Sequence, residues 1–378
     1  MHLGARFSAL VNRFEGAVYV AVSGGSDSLA LLLLAKAWAD QAGRSLKALT
    51  VDHRLRPESA EEAADVAKLC ETIDCAHQTL TWDAPRAQQA AARKARYRLM
   101  LDAMPADQPA ILLTGHTIDD VIETALIRRR RGVRGPEVAG PTLAAPLPLW
   151  PVSNPVTLLR PLIRTTRCDL QRWLRAQDVP WARDPSNQNP VYERVRMRQF
   201  LERHTSLSSL AKDAVCRKQE ERAAADAALA KALAQVSVTD EGLIMVHHAD
   251  LSTRLLSLLI RCASGGDRDV RAGATVEALR ALQHPGDRTT LGGAWLQRSP
   301  EGLLIGRDPG ADIGVDRLGG FDGRYEKAAD ARLAAQDDMP FLLRHARPDG
   351  DQWRETISRR LSHMAQCLAT PFCNPVEE

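Results

Sequence analysis

Short apolar segments alternate with longer amphipathic stretches over residues 18–130. This alternation predicts strands over residues 18–22, 46–51, 78–82 and 110–114. Apolar positions at helical spacing predict helices over residues 28–41, 58–73, 87–104 and 118–130. Strands that alternate with helices of this length are typical of a parallel sheet covered on both faces. We therefore predict an α/β fold built on a doubly wound parallel sheet.

The pattern changes in the second part of the chain. Residues 135–157 are rich in proline and glycine and predict a long loop, and residues 208–235 predict an alanine-rich helix. Further strands and helices, including a hairpin, are predicted up to residue 305. These shifts predict a domain over residues 1–205, a helical connector over 206–236, a small α+β domain over 237–310 and a poorly defined C-terminal region over 311–378.

Composition narrows the class of protein. Of the 378 residues, 44% are apolar and 26% are charged, as in ordinary globular proteins. No apolar run approaches the roughly 20 residues of a membrane span, and residues 1–17 lack a signal-peptide core. The seven cysteines include no Cys-x-x-Cys pair, which disfavours a disulfide framework or a zinc site. We expect a cytoplasmic protein without a membrane partner.

Charge is distributed unevenly along the chain. Residues 1–205 contain 28 Lys and Arg against 22 Asp and Glu, a net charge of +6, whereas the whole chain carries +3. Arginine accounts for 42 of the 50 basic residues. Contacts of the first half with a polyanion would therefore be made mostly by guanidinium groups, which suit bidentate contacts with phosphate.

A glycine-containing motif follows the first predicted strand and opens the next helix. It consists of Ser23, Gly24, Gly25, Ser26, Asp27 and Ser28. Glycines at such a turn let the backbone approach an anion, and the helix N-terminus attracts negative charge. The chain contains no Gly-Lys-Ser/Thr of a Walker A loop, so backbone amides and hydroxyls would hold the phosphates. Asp27 would repel a phosphate unless a cation lay between them, which predicts Mg²⁺. A helix capped after a glycine turn is the alternative.

Acidic residues crowd the start of the helix predicted over residues 118–130. The segment begins with Gly115, and its polar residues are His116, Thr117, Asp119, Asp120 and Glu123. Thr117 and Asp120 have the spacing of a capping box, and Asp119 and Glu123 lie one turn apart. Capping alone does not account for so many acids. Crowded carboxylates raise one another's pKa unless a metal or arginines intervene. We predict that Mg²⁺ binds Asp27 together with Asp119, Asp120 or Glu123, with Asp120 as the first choice.

Two further polar segments are candidates for contact with a nucleotide or RNA. Asp52 and His53 follow the second predicted strand, where an acid often binds a ribose or a base edge. Arg93 and Arg96 share one face of a predicted helix with Tyr97. The alternatives are a polar loop that leads into a helix and a solvated basic face.

Arginines are concentrated beyond the acidic segment. Arg131 and Arg134 lie in a stretch without acids, and residues 158–203 contain ten arginines and five acids. The second stretch includes Arg160, Asp184, Asn187, Arg194, Arg196 and Arg198. Basic residues interleaved with aromatic residues suit RNA, whose bases stack on aromatic rings. The alternatives are arginines that stabilise a helix C-terminus and aromatic residues of an ordinary core.

These motifs resemble those of a known enzyme family. Residues 23–28 resemble the pyrophosphatase loop (PP-loop) of the N-type ATP pyrophosphatases, which cleave ATP to AMP and pyrophosphate while adenylating a substrate. Taken in order, seven segments together resemble the bacterial tRNA(Ile)-lysidine synthetases. They are residues 23–28, 51–56, 93–97, 115–124, 159–162, 184–187 and 192–198.

The resemblance implies a Rossmann-like PP-loop domain that uses ATP and Mg²⁺ to join L-lysine to C2 of the wobble cytidine of tRNA(Ile). It implies catalytic roles for Asp27, Asp119, Asp120, Glu123 and His116. It implies contacts with ATP for residues 23–28 and for Asp52, His53, Arg93, Arg96 and Gly115. It implies contacts with tRNA for Arg131, Arg134, Arg160, Asp184, Asn187, Arg194, Arg196 and Arg198, and for the small domain. The oligomeric state stays open, with a homodimer as one option.

Two other functions are compatible with parts of this pattern. One is a different PP-loop enzyme, such as a tRNA thiolase or an amide-forming synthetase, although the chain lacks paired cysteines and a motif for an amidotransferase domain. The other is an RNA-binding protein without catalytic activity on a decayed nucleotide fold. The presence of Asp27, Asp119, Asp120 and Glu123 argues against the second alternative.

Overall fold

The chain forms two compact units in a computed structural model. The first comprises residues 1–148, 156–227 and 367–378, and the second comprises residues 149–155 and 228–366. The structure describes residues 3–54, 58–82, 89–105, 108–149, 156–182, 190–191, 193–240, 242–247, 251–266, 269–308, 311, 320–321, 325–326 and 350–370. Within these ranges, no helix combines the length and the apolar character that crossing a membrane requires.

A mixed, mostly parallel sheet forms the centre of the first unit. Its strands are β1 (Ala17–Ala21), β2 (Leu46–Asp52), β3 (Ala76–Thr81), β4 (Ala110–Leu113), β5 (Ala144–Pro146) and β6 (Val156–Leu159). The helices are α1 (Leu3–Val11), α2 (Ser26–Ala42), α3 (Glu58–Thr72), α4 (Gln89–Asp102), α5 (Ile118–Arg130), α6 (Arg167–Arg175), α7 (Glu193–Arg203) and α8 (Thr205–Leu233), the last of which continues into the second unit. The predicted α/β fold is confirmed.

The strand order determines where this sheet can bind a ligand. The order is β3-β2-β1-β4-β6-β5, with β5 antiparallel to β6 and the other neighbours parallel. From β1 the chain adds β2 and β3 on one side and then returns to add β4 on the other side of β1. Ligands of open α/β sheets bind at the carboxyl ends of the strands where the order reverses. This position lies between β1 and β4, so the loops after these strands form the expected crevice.

The inner strands of the sheet are buried, as their apolar sequence predicts, whereas half of the residues of the edge strand β3 are exposed. All four residues of β4 and all four of β6 are buried, and the apolar side chains of α2 pack into the same core. The prediction of a long loop over residues 135–157 is wrong in part, because a 3₁₀ helix (Gly135–Ala139), β5 and the start of β6 fall inside it. These strands are too short to show a clear period in the sequence.

The second unit is an antiparallel sheet with helices. Its strands are β7 (Val236–Val238), β8 (Ile244–His247), β9 (Arg288–Leu291), β10 (Ala294–Ser299) and β11 (Gly302–Arg307), in the order β7-β8-β11-β10-β9. Further elements are α9 (Thr253–Ser264), α10 (Ala272–Ala281), the short strands β12 (Gly320–Phe321) and β13 (Tyr325–Glu326), and α11 (Gly350–Ala369). The predicted hairpin is the β10–β11 pair. The proposed domain limits stay a prediction.

Candidate active site

The glycine motif forms a short loop between β1 and α2. Gly24 has φ of +76°, a conformation that residues with a side chain rarely adopt. Gly25 is the N-cap of α2 and offers no capping side chain, and among the described residues a Cβ atom there would meet only the Ser23 hydroxyl, at 3.8 Å. Ser28 Oγ accepts from the Ser23 amide at 3.1 Å and donates to the Gly25 carbonyl at 2.9 Å. The loop is therefore organised by its own hydroxyls, with open space at the helix N-terminus, as an anion site requires.

Gly115 brings the loop after β4 against the first turn of α2. A Cβ atom on Gly115 would lie 2.8 Å from the Asp27 carbonyl oxygen and 3.1 Å from the Ser28 amide nitrogen. Both neighbours are backbone atoms, so only a residue without a side chain permits this approach. The structure thus shows Gly115 as the residue that lets the two loops of the crevice meet.

The start of α5 forms the capping box predicted from the sequence. Asp120 Oδ2 accepts from the Thr117 amide at 2.8 Å and from the Thr117 hydroxyl at 3.1 Å. The other oxygen, Asp120 Oδ1, faces two arginine side chains. Capping consequently fixes the carboxylate of Asp120 while leaving one of its oxygens for other contacts.

Arg167, at the first position of α6, connects the acids of the site. Its Nε donates to Asp27 Oδ2 at 2.9 Å, its NH2 to Asp120 Oδ1 at 3.3 Å, and its NH1 lies 3.8 Å from Glu123 Oε1. Its backbone amide donates to Asp119 Oδ2 at 2.8 Å. All four predicted acids therefore meet one residue, which our sequence analysis did not identify. Asp27 lies 140 positions earlier in the chain, so no local pattern could reveal this contact.

Two arginines of α7 bind the most deeply buried acid of the site. Glu123 is 1% exposed. Its Oε2 accepts from Arg194 Nε at 2.8 Å, and its Oε1 accepts from Arg198 Nε at 2.8 Å. Arg194 also reaches Asp120 Oδ1, at 3.2 Å. Because Arg194 and Arg198 are one helical turn apart, α7 presents both to α5 from the same face.

These contacts shift the pKa values of the acids in opposite directions. Burial raises the pKa of Asp27, although Arg167 opposes the shift. Burial also disfavours the charged form of Asp120, but Arg194 and Arg167 outweigh it and lower the pKa of Asp120. Burial would lower the pKa of Arg167, but the neighbouring acids raise it above its usual value. Arg167 is therefore a permanent cation among acids.

His116 lies at the same edge, is half-buried and interacts electrostatically with arginines and with Asp120. Its Nδ1 is 3.0 Å from Thr114 Oγ1. Burial lowers the pKa of His116 to about 3, and the charges of Arg160 and Arg93 act in the same direction. Arg160 is only 6% exposed, and its NH1 donates to the Thr142 carbonyl at 2.7 Å. The lowered pKa makes His116 neutral at physiological pH. Arg160 is buried and does not lie on the protein surface.

The segment after β2 meets the basic helix α4. Arg96 donates to His53 Nε2 from its NH2, at 2.9 Å, and from its Nε, at 3.2 Å. The buried Nδ1 of His53 has no hydrogen-bond partner among the described residues. Asp52 is occupied locally, because its Oδ1 accepts from the Arg54 amide and from the Ser59 hydroxyl, which lowers its pKa. Burial and the charge of Arg96 lower the pKa of His53 to about 4, so the ring is neutral and accepts from Arg96 through Nε2.

The remaining predicted contacts are more dispersed. The guanidinium of Arg93 lies 5.0 Å from the centre of the Tyr97 ring. Arg131 is exposed and pairs with Glu193, and the exposed Arg134 contacts the Val133 carbonyl. Arg196 donates to two carbonyl groups of the preceding turn, at 2.6 and 2.8 Å. Asp184 and Asn187 lie outside the described residues.

The chemistry of the crevice suits ATP and Mg²⁺. The open N-terminus of α2 suits the phosphates of a nucleotide. Among the described residues, no three His, Cys, Asp or Glu side chains form a ready-made metal site. Mg²⁺ usually takes one or two carboxylates together with substrate phosphates, and Asp27 and Asp120 meet at one guanidinium. The donor set fits, provided that Arg167 releases these carboxylates.

Comparisons with known proteins agree with this geometry. A family model described as a PP-loop domain matches residues 2–205. The tRNA(Ile)-lysidine synthase of Hyphomonas neptunium is 38% identical over 297 residues, covering 76% of this chain and 81% of that protein. The tRNA(Ile)-lysidine synthase of Rhizobium meliloti is 34% identical over 334 residues, covering 82% and 72%. That of Mesorhizobium japonicum is 44% identical over 204 residues, covering 53% and 45%.

A solved structure resembles the chain more distantly. The U34-tRNA thiolase NcsA from Methanococcus maripaludis, solved with its [4Fe-4S] cluster, is 16% identical. It covers 57% of this chain and 75% of its own, with a TM-score of 0.45. At this level the likeness carries no argument about function.

Proposed function

The chain belongs to the tRNA(Ile)-lysidine synthase family of PP-loop enzymes, and from this premise we propose that it joins L-lysine to C2 of the wobble cytidine of tRNA(Ile). The observation that carries the proposal is the meeting of Asp27, Asp120 and Glu123 beside the open N-terminus of α2. This arrangement places a phosphate site next to the three carboxylates, which we call the acidic pocket, at the ligand edge of the sheet.

The first step is the activation of the cytidine by ATP. The C2 oxygen of cytosine is a poor leaving group, so it must attack the α-phosphate, with pyrophosphate as the leaving group. The backbone and hydroxyls of residues 23–28 would hold the β- and γ-phosphates at the N-terminus of α2. Asp27 and Asp120 would hold Mg²⁺, which supplies neutralisation of the charge that develops on the leaving pyrophosphate.

The second step is the attack of lysine on the adenylated cytidine. The ε-amine of lysine forms a bond with C2, and AMP leaves with the former C2 oxygen. A carboxylate must hold the lysine ammonium and accept its proton. We assign this role to Glu123 and Asp120, because both are buried at this edge of the sheet. Asp119 borders the same pocket. A neutral His116 beside them would hydrogen-bond without adding positive charge.

The predicted nucleic-acid contacts divide by exposure. Arg131 and Arg134 are exposed and suit phosphates of the tRNA. Arg160 is buried, so we assign it to the environment of His116. Arg93, Arg96 and His53 would face the nucleotide. A cytoplasmic location fits a tRNA substrate, and a homodimer stays an option.

The experiment is a reaction of the purified chain with ATP, labelled lysine and an unmodified tRNA(Ile) transcript with a CAU anticodon. We expect lysine in the nucleoside at the wobble position, seen by mass spectrometry of the digested tRNA, and equimolar pyrophosphate. Asp27→Asn should abolish both products, whereas Asp40→Asn should not, because Asp40 pairs with Lys36 on the exposed face of the same helix. Normal modification by Asp27→Asn would contradict the metal assignment, and the absence of any lysine transfer by the wild type would contradict the function.

A further inference from the structure

The acidic pocket is electrically satisfied by the protein itself. Three carboxylates, those of Asp27, Asp120 and Glu123, face the guanidinium groups of Arg167, Arg194 and Arg198. The four closest pairs lie between 2.8 and 3.2 Å. A further cation would therefore meet three carboxylates whose charge the arginines already balance. Lysine and Mg²⁺ both need these carboxylates, so something must first remove an arginine from them.

Arg167 is the arginine whose position matches that of the missing cation. It contacts all three carboxylates, whereas Arg198 contacts Glu123 alone among them. A lysine ammonium that used the same oxygens would compete directly with its guanidinium. The side chain is 21% exposed, so part of it borders solvent.

A phosphate chain is the ligand that can draw Arg167 away. Guanidinium groups bind phosphate bidentately, and α6 faces the glycine motif: Gln171, one turn beyond Arg167, places its Nε2 3.5 Å from Ser26 Oγ. The backbone need not move, because the Arg167 amide is held by Asp119 and the start of α6 is capped by Thr166. Rotation of one side chain is sufficient.

We propose that Arg167 is the internal counter-ion of the acidic pocket, and that it transfers to the phosphates when ATP binds, so that the pocket accepts lysine only after the nucleotide. The inference rests on the proposed function, since it takes lysine as the ligand of Asp120 and Glu123. Arg167 is a positioning residue: it acts on the reaction through the carboxylates that it covers. The order prevents lysine from occupying the pocket before the activating nucleotide is present.

The test measures lysine binding and does not depend on turnover. Equilibrium dialysis of the full chain with radiolabelled L-lysine is performed with and without a non-hydrolysable ATP analogue and Mg²⁺. For the wild type we expect lysine to bind at least about tenfold more tightly with the analogue, within the usual range of coupling between two ligands. Equal lysine affinity in both conditions would overturn the inference.

Substitution of Arg167 separates its role from a general effect of ATP. In Arg167→Met, lysine should bind more tightly without nucleotide than it does in the wild type, and the dependence on the analogue should fall to about twofold or less. Arg172→Met is the matched control, because Arg172 lies on the same helix, is 72% exposed and contacts Asp169 and Cys168 of that helix. A wild-type dependence in Arg167→Met would overturn the inference.

A second variant guards against misfolding. Arg167→Lys keeps one positive charge but cannot reach three carboxylates at once, so its dependence on the analogue should lie between those of the wild type and Arg167→Met. An unchanged dependence in Arg167→Lys would also contradict the proposal. The inference would be refuted, and the proposed function left intact, if the protein bound ATP and formed lysidine normally but its affinity for lysine did not depend on the nucleotide. Absence of any lysine transfer would instead remove the proposed function and the inference with it.

Discussion

Replacement of Gly115 by alanine tests whether the two loops of the crevice must touch. The added Cβ atom would lie 2.8 Å from the Asp27 carbonyl oxygen, whereas ordinary contact begins at 3.4 Å. The difference, about 0.6 Å, must be absorbed by the backbone of one of the two loops. Neither neighbour can turn away, because both are main-chain atoms of the first turn of α2.

The displacement should affect activity more than stability. Overpacking of this kind costs about 1–3 kcal/mol, which in a protein of this size corresponds to a fall of a few degrees in Tm. Misplacement of catalytic groups by several tenths of an ångström is more costly, since a shift of about 1 Å can reduce a rate about 100-fold. We therefore expect at least a tenfold loss in the rate of pyrophosphate release, measured with tRNA and saturating ATP.

Gly273→Ala provides the control for Gly115→Ala. Gly273 is the second residue of α10, and a Cβ atom there would have no neighbour within 4 Å in the part of the chain that the structure describes. This variant should keep full activity and gain slightly in stability, because alanine favours a helix by about 1 kcal/mol over glycine. If Gly115→Ala released pyrophosphate within twofold of the wild-type rate and melted at the same temperature, the close approach of the loops would have no functional meaning.

Two further predictions concern stability. Glu123→Gln should destabilise the protein by about 2 kcal/mol in chemical denaturation, because it leaves Arg194 and Arg198 without the charge of their buried partner. The loss is moderate because both arginines are partly exposed to solvent. The control variant Glu202→Gln, at an exposed position of α7, should have no effect. Burial and Arg96 lower the pKa of His53 to about 4 in the folded protein. The unfolded chain, in which the pKa of this histidine is about 6.5, therefore binds a proton more readily than the folded protein does. Stability that is present above about pH 6.5 is consequently lost as the pH falls towards 4. His53→Gln should make that part of the urea-unfolding profile shallower, and an equally steep profile would contradict the assigned environment.

Local patterns determined the features that depend on neighbouring positions. Alternating apolar segments indicated the parallel sheet, because the inner strands of such a sheet bury both faces under helices. The glycine motif indicated a phosphate site, since strand, turn and helix N-terminus are adjacent in the chain. The capping box of Thr117 and Asp120 was readable because its members are three positions apart. Such features require no knowledge of how distant segments pack.

The partners of the acids were decided only by the tertiary structure. Crowded carboxylates required a cation, but the sequence alone did not distinguish a metal from an arginine, and Arg167 reaches Asp27 across 140 positions. Burial of Arg160 likewise depends on the sheet around the end of β6, and a list of basic residues does not distinguish it from the exposed Arg131. Contacts of this kind arise because the strand order brings the loops after β1 and β4 to one edge, where α6 and α7 then place their side chains. Helices and strands produce a periodic pattern of apolar residues in a single sequence. Ion pairs between residues that are remote in the chain produce no such pattern.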